Sequence, residues 1–96
     1  MKVKVGEIGV DAGSVMVGDP CYFFGKDCEA TRAYPSWKDV CALFDYDKGC
    51  PPVQLNYAAG HAGLGVIVRT THGDGGYPVY LETTKAGRRR LIVNLD

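Results

Sequence analysis

The chain has 96 residues, of which 46% are hydrophobic, 11 are Lys or Arg and 11 are Asp or Glu. This composition is that of an ordered globular protein, and the length predicts a single domain over residues 1–96, because either half would bury too little apolar surface alone. The net charge of zero disfavours a protein that binds nucleic acid or anionic lipid mainly through charge, so we expect no sequence-specific nucleic-acid partner.

The first five residues alternate polar and apolar side chains and lack the apolar run of a signal peptide. No later segment is apolar enough to span a bilayer. We therefore expect a cytoplasmic protein without a membrane partner. In that reducing compartment Cys21, Cys28, Cys41 and Cys50 are expected to be thiols.

Residues 2–10 alternate in the manner of a strand, and the alternation changes phase at Gly6. This pattern predicts one strand with a glycine bulge. Residues 11–13 form a turn signal, and the alternation resumes at Val15 and Val17 before Pro20 ends it. We expect these two segments to pair as an N-terminal hairpin.

Residues 24–35 have no clear period and are expected to form a surface loop. Ser36 is a good N-cap, with Asp39 in the third helical position, and Gly49 and the two prolines after it should end the helix. We expect this helix to cover the sheet with one apolar face, formed by Trp37, Val40, Cys41, Leu43 and Phe44.

Residues 64–71, 77–84 and 89–95 read as three strands separated by turns, which predicts a C-terminal antiparallel meander. The first contains apolar residues 66–68 on both faces, as in a central strand. The inward residues of the others are Val79, Leu81, Leu91 and Val93. The predicted fold class is therefore α+β: one small domain with a curled, mainly antiparallel sheet of about five strands and one covering helix.

A cysteine nucleophile is one functional hypothesis, with Cys21 as thiolate and His61 or His72 as the base, oriented by Asp19 or Asp74. Asp19 lies two residues from Cys21, however, where its charge should raise the thiol pKa. No family-specific motif surrounds Cys21. We therefore expect no catalytic residues and interpret Cys21 as a small buried thiol behind a turn.

The cysteines are spaced 7, 13 and 9 residues apart, without the close pairs typical of structural zinc sites. Asp11, Asp19 and Asp74 could coordinate a hard cation if their turns adjoin, but residues 72–76 lack the acidic spacing of an EF-hand loop. Asp in such turns more often caps backbone amides. The prediction is no metal and no cofactor.

Residues 60–65 are glycine-rich, but they lead into a strand, whereas a nucleotide-binding loop follows a strand and opens a helix. Residues 88–90 are three arginines, which we interpret as charge that protects a sheet edge. Tyrosines beside rigid turns offer stacking surfaces, and Tyr80 should face away from Tyr77 and Val79. The predicted ligand-binding residues are Asp19, Tyr22, Arg69, Asp74, Tyr77 and Tyr80.

Two segments carry a resemblance: residues 11–22, DAGSVMVGDPCY, and residues 73–80, GDGGYPVY. They resemble small bacteriophage and bacterial proteins with a D-S/A-G-x4-G-D-P-C-Y segment followed by a G-D-G-x-Y-P-V hairpin. The match covers both ends of the chain but not residues 23–60. Ala12 stands where serine is more usual, and the resemblance implies a fold and a phage or bacterial origin without an activity.

The leading functional hypothesis is a non-enzymatic binding module that captures a small host metabolite, a nucleotide or a host protein, acting in the host cytoplasm if a phage encodes it. A pocket for a small ligand could lie at the interface of a homo-oligomer. The alternatives are the cysteine- or histidine-dependent enzyme and a structural, virion-associated module whose sheet edge pairs with another chain.

Overall fold

The strands form two sheets of three strands each in the computed structural model, which describes residues 1–96. The strands pair antiparallel within each sheet, which confirms the mainly antiparallel prediction. With only two short helices the class is α+β or mainly β, and the predicted single sheet of about five strands is wrong. Both helices are short. The elements are β1 (Lys2–Val10), β2 (Ser14–Gly18), a 3-10 turn (Pro20–Tyr22), α1 (Glu29–Ala33), α2 (Trp37–Cys41), a 3-10 turn (Tyr46–Lys48), β3 (Val53–Asn56), β4 (Ala62–Arg69), β5 (Gly75–Thr83) and β6 (Arg89–Val93).

The chain divides into two compact units. The first unit comprises residues 1–14 and 70–96, and the second comprises residues 15–69. The sheet with strand order β1-β5-β6 belongs to the first unit, which contains no helix. The sheet with order β2-β4-β3, apart from Ser14, belongs to the second unit together with both helices. The single domain over the whole chain stays a prediction.

The bulge in β1 is confirmed, because the register against β5 shifts between Lys4 and Gly6. The N-terminal hairpin is wrong: β1 pairs antiparallel with β5, while β2 lies beside β4 in the other sheet. The turn at residues 11–13 is present, but it carries the chain from one sheet to the other. Alternation predicts a strand and not its partner, because pairing depends on distant segments.

The antiparallel pair of β5 and β6 is confirmed. Val79 opposes Val93 and Leu81 opposes Leu91, so these four share one sheet face. Three of them are half-buried, but Leu91 is 61% exposed, so its predicted inward position is wrong. The first unit has no helix to cover the end of this face where Leu91 lies.

The predicted meander is wrong at its first connection, because β4 does not pair with β5. It is the central strand of the other sheet, as its apolar residues 66–68 had indicated. The strand β3 was not predicted. It directly follows Pro51 and Pro52 and pairs antiparallel with β4. A proline at the start of an edge strand costs no ladder hydrogen bond. The two prolines therefore do not prevent a strand from beginning at Val53.

The helix beginning after Ser36 is confirmed at its start. The Ser36 amide donates to Asp39 Oδ2 at 3.0 Å, as expected of a capping box. The helix α2 ends at Cys41, and a separate 3-10 turn at residues 46–48 precedes Gly49, which has φ of 74°. The loop predicted at residues 24–35 contains the one-turn helix α1, too short to show a period.

The core of the second unit lies between its sheet and its helices. Leu55, Leu64 and Ile67 are buried there, and they come from β3 and β4. Val40 of α2 and Phe44 just after it pack on this cluster, as predicted. The inward position predicted for Leu43 is wrong, because Leu43 follows the end of α2 and is 40% exposed. Full burial of such side chains contributes about 1.5–3 kcal/mol each.

Candidate functional site

The two motif segments meet in the first unit, at a junction formed by Gly13, Thr70, Gly73, Asp74 and Tyr77. Asp74 Oδ1 accepts a hydrogen bond from the Gly13 amide at 2.9 Å. The buried Thr70 donates its hydroxyl to the Gly73 carbonyl at 2.6 Å. Tyr77 donates its hydroxyl to the same carbonyl at 2.7 Å. We call this set the motif junction, and its polar side chains are engaged with the backbone.

Tyr77 and Tyr80 lie on opposite faces of the first sheet, as predicted. Tyr77 is only 4% exposed, so its ring is part of the core and not of a surface. Tyr80 is half-buried, and Lys2 Nζ lies 4.9 Å from its ring centroid. Its ring therefore already has a cationic partner from β1.

Asp19 and Tyr22 belong to one capped turn in the second unit. The Asp19 carboxylate accepts a hydrogen bond from the Cys21 amide at 3.0 Å and caps the 3-10 turn. Tyr22 contacts Tyr57 edge to face, with ring centroids 5.3 Å apart. The arrangement is that of an Asx-type turn whose tyrosine packs against the neighbouring hairpin.

Tyr57 holds the hairpin between β3 and β4. Its hydroxyl donates to the Gly63 carbonyl at 3.0 Å, and the His61 ring lies 4.5 Å from its ring. A Cβ at Gly63 would approach Tyr57 Cε2 to 2.8 Å, so glycine is needed here for close packing. Gly63 and Gly65 lie within β4, whereas Gly60, with φ of 105°, lies in the turn before it.

Arg69, the last residue of β4, is exposed and donates from a guanidinium nitrogen to Cys50 Sγ at 3.6 Å. The six predicted ligand-binding residues thus fall into two groups. Asp74, Tyr77 and Tyr80 belong to the first unit, and Asp19, Tyr22 and Arg69 to the second. Asp74 and Tyr77 share the motif junction, and Asp19 and Tyr22 share the capped turn.

All four cysteines are free thiols and Cys50 is buried. The predicted burial of the Cys21 thiol is wrong, because this side chain is exposed at the surface of its turn. The pKa of Cys21 is raised, mainly by local desolvation and to a smaller extent by the neighbouring Asp19 carboxylate. Hydrogen bonds from the Thr31 side chain and amide lower the pKa of Cys28. No group of three or more His, Cys, Asp or Glu side chains is arranged to hold a metal ion.

An aromatic cluster that was not predicted lies on the second unit: Trp37, Phe44 and Tyr46. The Phe44 ring contacts both others edge to face, with centroid distances of 6.1 Å to Trp37 and 6.3 Å to Tyr46. Phe44 is half-buried on the core, whereas Trp37 is 54% exposed and Tyr46 66% exposed. Two exposed aromatic side chains, Trp37 and Tyr46, thus contact the same half-buried ring.

The sequence signal for this cluster was misassigned. Trp37 was placed on the inward face of a helix predicted to continue to residue 48, and Tyr46 received no role. Because α2 ends at Cys41, Phe44 and Tyr46 come from the segment that follows it. Trp37, the first residue of α2, is exposed instead of inward. The indole beside two further aromatic residues within ten positions was the available clue.

Residues 36–49, the segment that carries the aromatic cluster, also contain three aspartates. Asp39 accepts a hydrogen bond from the Ser36 amide, and Asp45 Oδ1 accepts one from the Lys48 amide at 3.3 Å. Asp47 is exposed. Residues 36–49 hold three Asp against Lys38 and Lys48, a local charge of minus one.

Comparison with known proteins identifies no relative, since no protein-family model, no curated protein and no solved structure matches the chain. None of the helices has the length and apolar character needed to cross a membrane. The function is therefore inferred from the geometry of the chain itself.

Proposed function

We propose that the chain is a small non-enzymatic binding module that captures a partner protein through the aromatic cluster. The observation that carries this proposal is the exposure of Trp37 and Tyr46 on either side of the anchored Phe44 ring. Single exposed apolar residues are normal on protein surfaces, but adjoining ones mark interaction sites. Trp and Tyr are also the residues that most often dominate binding energy at protein interfaces.

The rigid base of the cluster supports this role. Phe44 packs on the buried core, and α2 is held at its start by the hydrogen bond from Ser36 to Asp39. Side chains that are ordered before binding lose less conformational entropy when a partner covers them. The cluster is thus better prepared for a protein surface than a loop of isolated aromatic residues would be.

Capture of a metabolite or nucleotide, the other form of the predicted binding function, has weaker support. Of the residues predicted for it, Asp19 and Asp74 accept backbone hydrogen bonds and Tyr77 is buried. A carboxylate or hydroxyl that already satisfies the backbone gains less from a ligand, because an existing bond is exchanged. The partner-protein form needs none of these groups.

The enzyme alternative rests on Cys21, and its environment favours the neutral thiol. Its pKa is raised by desolvation and then by Asp19, whereas a cysteine nucleophile requires a stabilised thiolate. The phage origin, the cytoplasmic location and the homo-oligomer stay predictions. If a phage encodes the chain, the captured partner is a host protein.

Affinity capture from a bacterial lysate tests the proposal, with the tagged chain and its Trp37→Ala and Tyr46→Ala variants. The matched control is Phe24→Ala, since Phe24 is 77% exposed but outside the cluster. We expect a protein in stoichiometric yield on the wild type and the control, and at least tenfold less on the two cluster variants. Equal yield on all variants, or no stoichiometric protein, would contradict the proposal.

A further inference from the structure

We propose that the aromatic cluster receives a cationic side chain, an arginine or lysine of a basic partner segment, by cation–π contact. This inference rests on the proposed binding function and names the chemistry that the partner presents. It follows from the angles between the rings, the charge along residues 36–49 and the absence of any cation of the chain on these rings.

The ring geometry comes first. Phe44 lies at 67° to Trp37 and at 84° to Tyr46, so the three rings are not stacked but point their faces in different directions. A cation is attracted when it lies within about 6 Å of a ring centroid, most strongly for Trp. Because neighbouring centroids here are 6.1 and 6.3 Å apart, one cation can be within reach of two rings.

The charge of the segment favours a cation over an anion. Asp39 and Asp45 are held in place by backbone amides, so their negative charges have defined positions. Asp47 adds an exposed carboxylate in the turn that also supplies Tyr46. Electrostatic complementarity of this kind directs a basic segment toward a site and disfavours acidic or phosphorylated ones.

The rings carry no cation from the chain itself. The only internal cation–π contact is that of Lys2 over Tyr80 in the first unit. Lys38 and Lys48 are close to the cluster in sequence but lie over none of its rings. Arginine is the stronger candidate of the two partner residues, because its planar guanidinium stacks on aromatic faces and is more weakly hydrated than an ammonium.

Trp37 provides the test, since it is the only tryptophan of the chain and its fluorescence reports on the cluster directly. The probes are the peptide Gly-Arg-Gly-Arg-Gly, the same peptide with lysine, and the same peptide with citrulline, which keeps the shape of arginine without its charge. We expect saturable changes in Trp37 emission with the two basic peptides. The citrulline peptide should bind at least tenfold more weakly.

Variants connect this signal to the cluster. Tyr46→Leu should weaken arginine-peptide binding about tenfold, whereas Tyr46→Phe should retain most of it because the ring remains. Asp47→Asn should weaken binding severalfold and reduce its salt dependence, while Phe24→Leu should leave binding unchanged. The substituted side chains are exposed, so we expect each variant to fold. Circular dichroism of each variant checks this.

Two results would overturn the inference: equal binding of the arginine and citrulline peptides, or no saturable response to either basic peptide. These outcomes are separable from failure of the proposed function. If a protein is captured in a Trp37-dependent way and the arginine and citrulline peptides compete with it equally, the binding function stands and the cation–π inference fails. Binding of the arginine peptide without any captured protein would support the cation site and contradict the function.

Discussion

The backbone amide of Gly13 donates to the Asp74 carboxylate at 2.9 Å, across 61 residues of sequence. Gly13 is buried with φ of 66°, a left-handed conformation that glycine adopts without strain. Thr70 holds the other side of the same glycine, donating its amide to the Gly13 carbonyl at 3.0 Å. Gly13 and Asp74, one from each motif segment, thus form a structural junction between distant parts of the chain.

The carboxylate of Asp74 should contribute measurably to stability. Asp74→Ala removes the acceptor of the Gly13 amide and should lower the free energy of unfolding by about 1 kcal/mol. Asp74→Asn keeps an acceptor oxygen and should retain most of that stability. Urea denaturation of both variants measures the difference, with Asp11→Ala as the control for an exposed turn acid. A loss in Asp11→Ala equal to that in Asp74→Ala would contradict the assignment.

The Tyr77 hydroxyl should contribute to the stability of the fold, whereas the Tyr80 hydroxyl should not. Tyr77→Phe removes the buried hydrogen bond to the Gly73 carbonyl, and we expect a loss of about 1 kcal/mol. Tyr80 is half-buried and its hydroxyl makes no hydrogen bond, so Tyr80→Phe is the matched control with a change below about 0.5 kcal/mol. Thermal unfolding of the two variants compares them, and similar melting temperatures would argue against the junction.

Glycine at position 63 should be required for the hairpin of β3 and β4. Gly63→Ala would place a Cβ 2.8 Å from Tyr57 Cε2 and would force alanine into φ of 132°. The expected loss of stability is about 1–3 kcal/mol. Gly9→Ala serves as the control, since a Cβ there meets no atom within 4 Å and its φ is not positive. Equal tolerance of both substitutions would show that Tyr57 does not pack as described.

Cys21 and Cys28 should react with alkylating reagents at different pH. Hydrogen bonds from Thr31 lower the pKa of Cys28, while desolvation and Asp19 raise that of Cys21. The thiolate is the reactive form, so as pH rises the Cys28 rate should increase before the Cys21 rate. Iodoacetamide labelling followed by peptide mass spectrometry gives both profiles.

Thr31→Val provides the internal comparison for this titration. It removes the side-chain hydrogen bond to Cys28 Sγ, which spans 3.1 Å, and should shift the Cys28 profile to higher pH. The Cys21 profile should not change, because the pKa of Cys21 depends on local desolvation and then on Asp19, not on Thr31. Coincident profiles of the two cysteines in the wild type would contradict the prediction.

For the predicted ligand-binding residues, the sequence indicates local conformation but not whether a side chain is free to bind a ligand. Asp19 and Asp74 were correctly placed in turns, because Asp beside Gly or Pro favours turns through its own hydrogen bonds. Whether their carboxylates stay free depends on which amide comes near, and for Asp74 that amide belongs to a residue 61 positions away. The aromatic cluster was missed because the exposure of Trp37 and Tyr46 depends on which side chains the core covers, which helical spacing alone does not determine.

The sequence by itself determined the local features: the bulge of β1 at Gly6, the start of α2 after Ser36, and the opposite faces of Tyr77 and Tyr80. Each follows from side-chain alternation, glycine freedom or a capping hydrogen bond, all of which act over a few residues. Only the tertiary structure decided that β1 pairs with β5, that β2 lies beside β4, and that Trp37 remains exposed. Alternation repeats in every strand and so cannot select a partner, whereas burial depends on which surfaces distant segments cover.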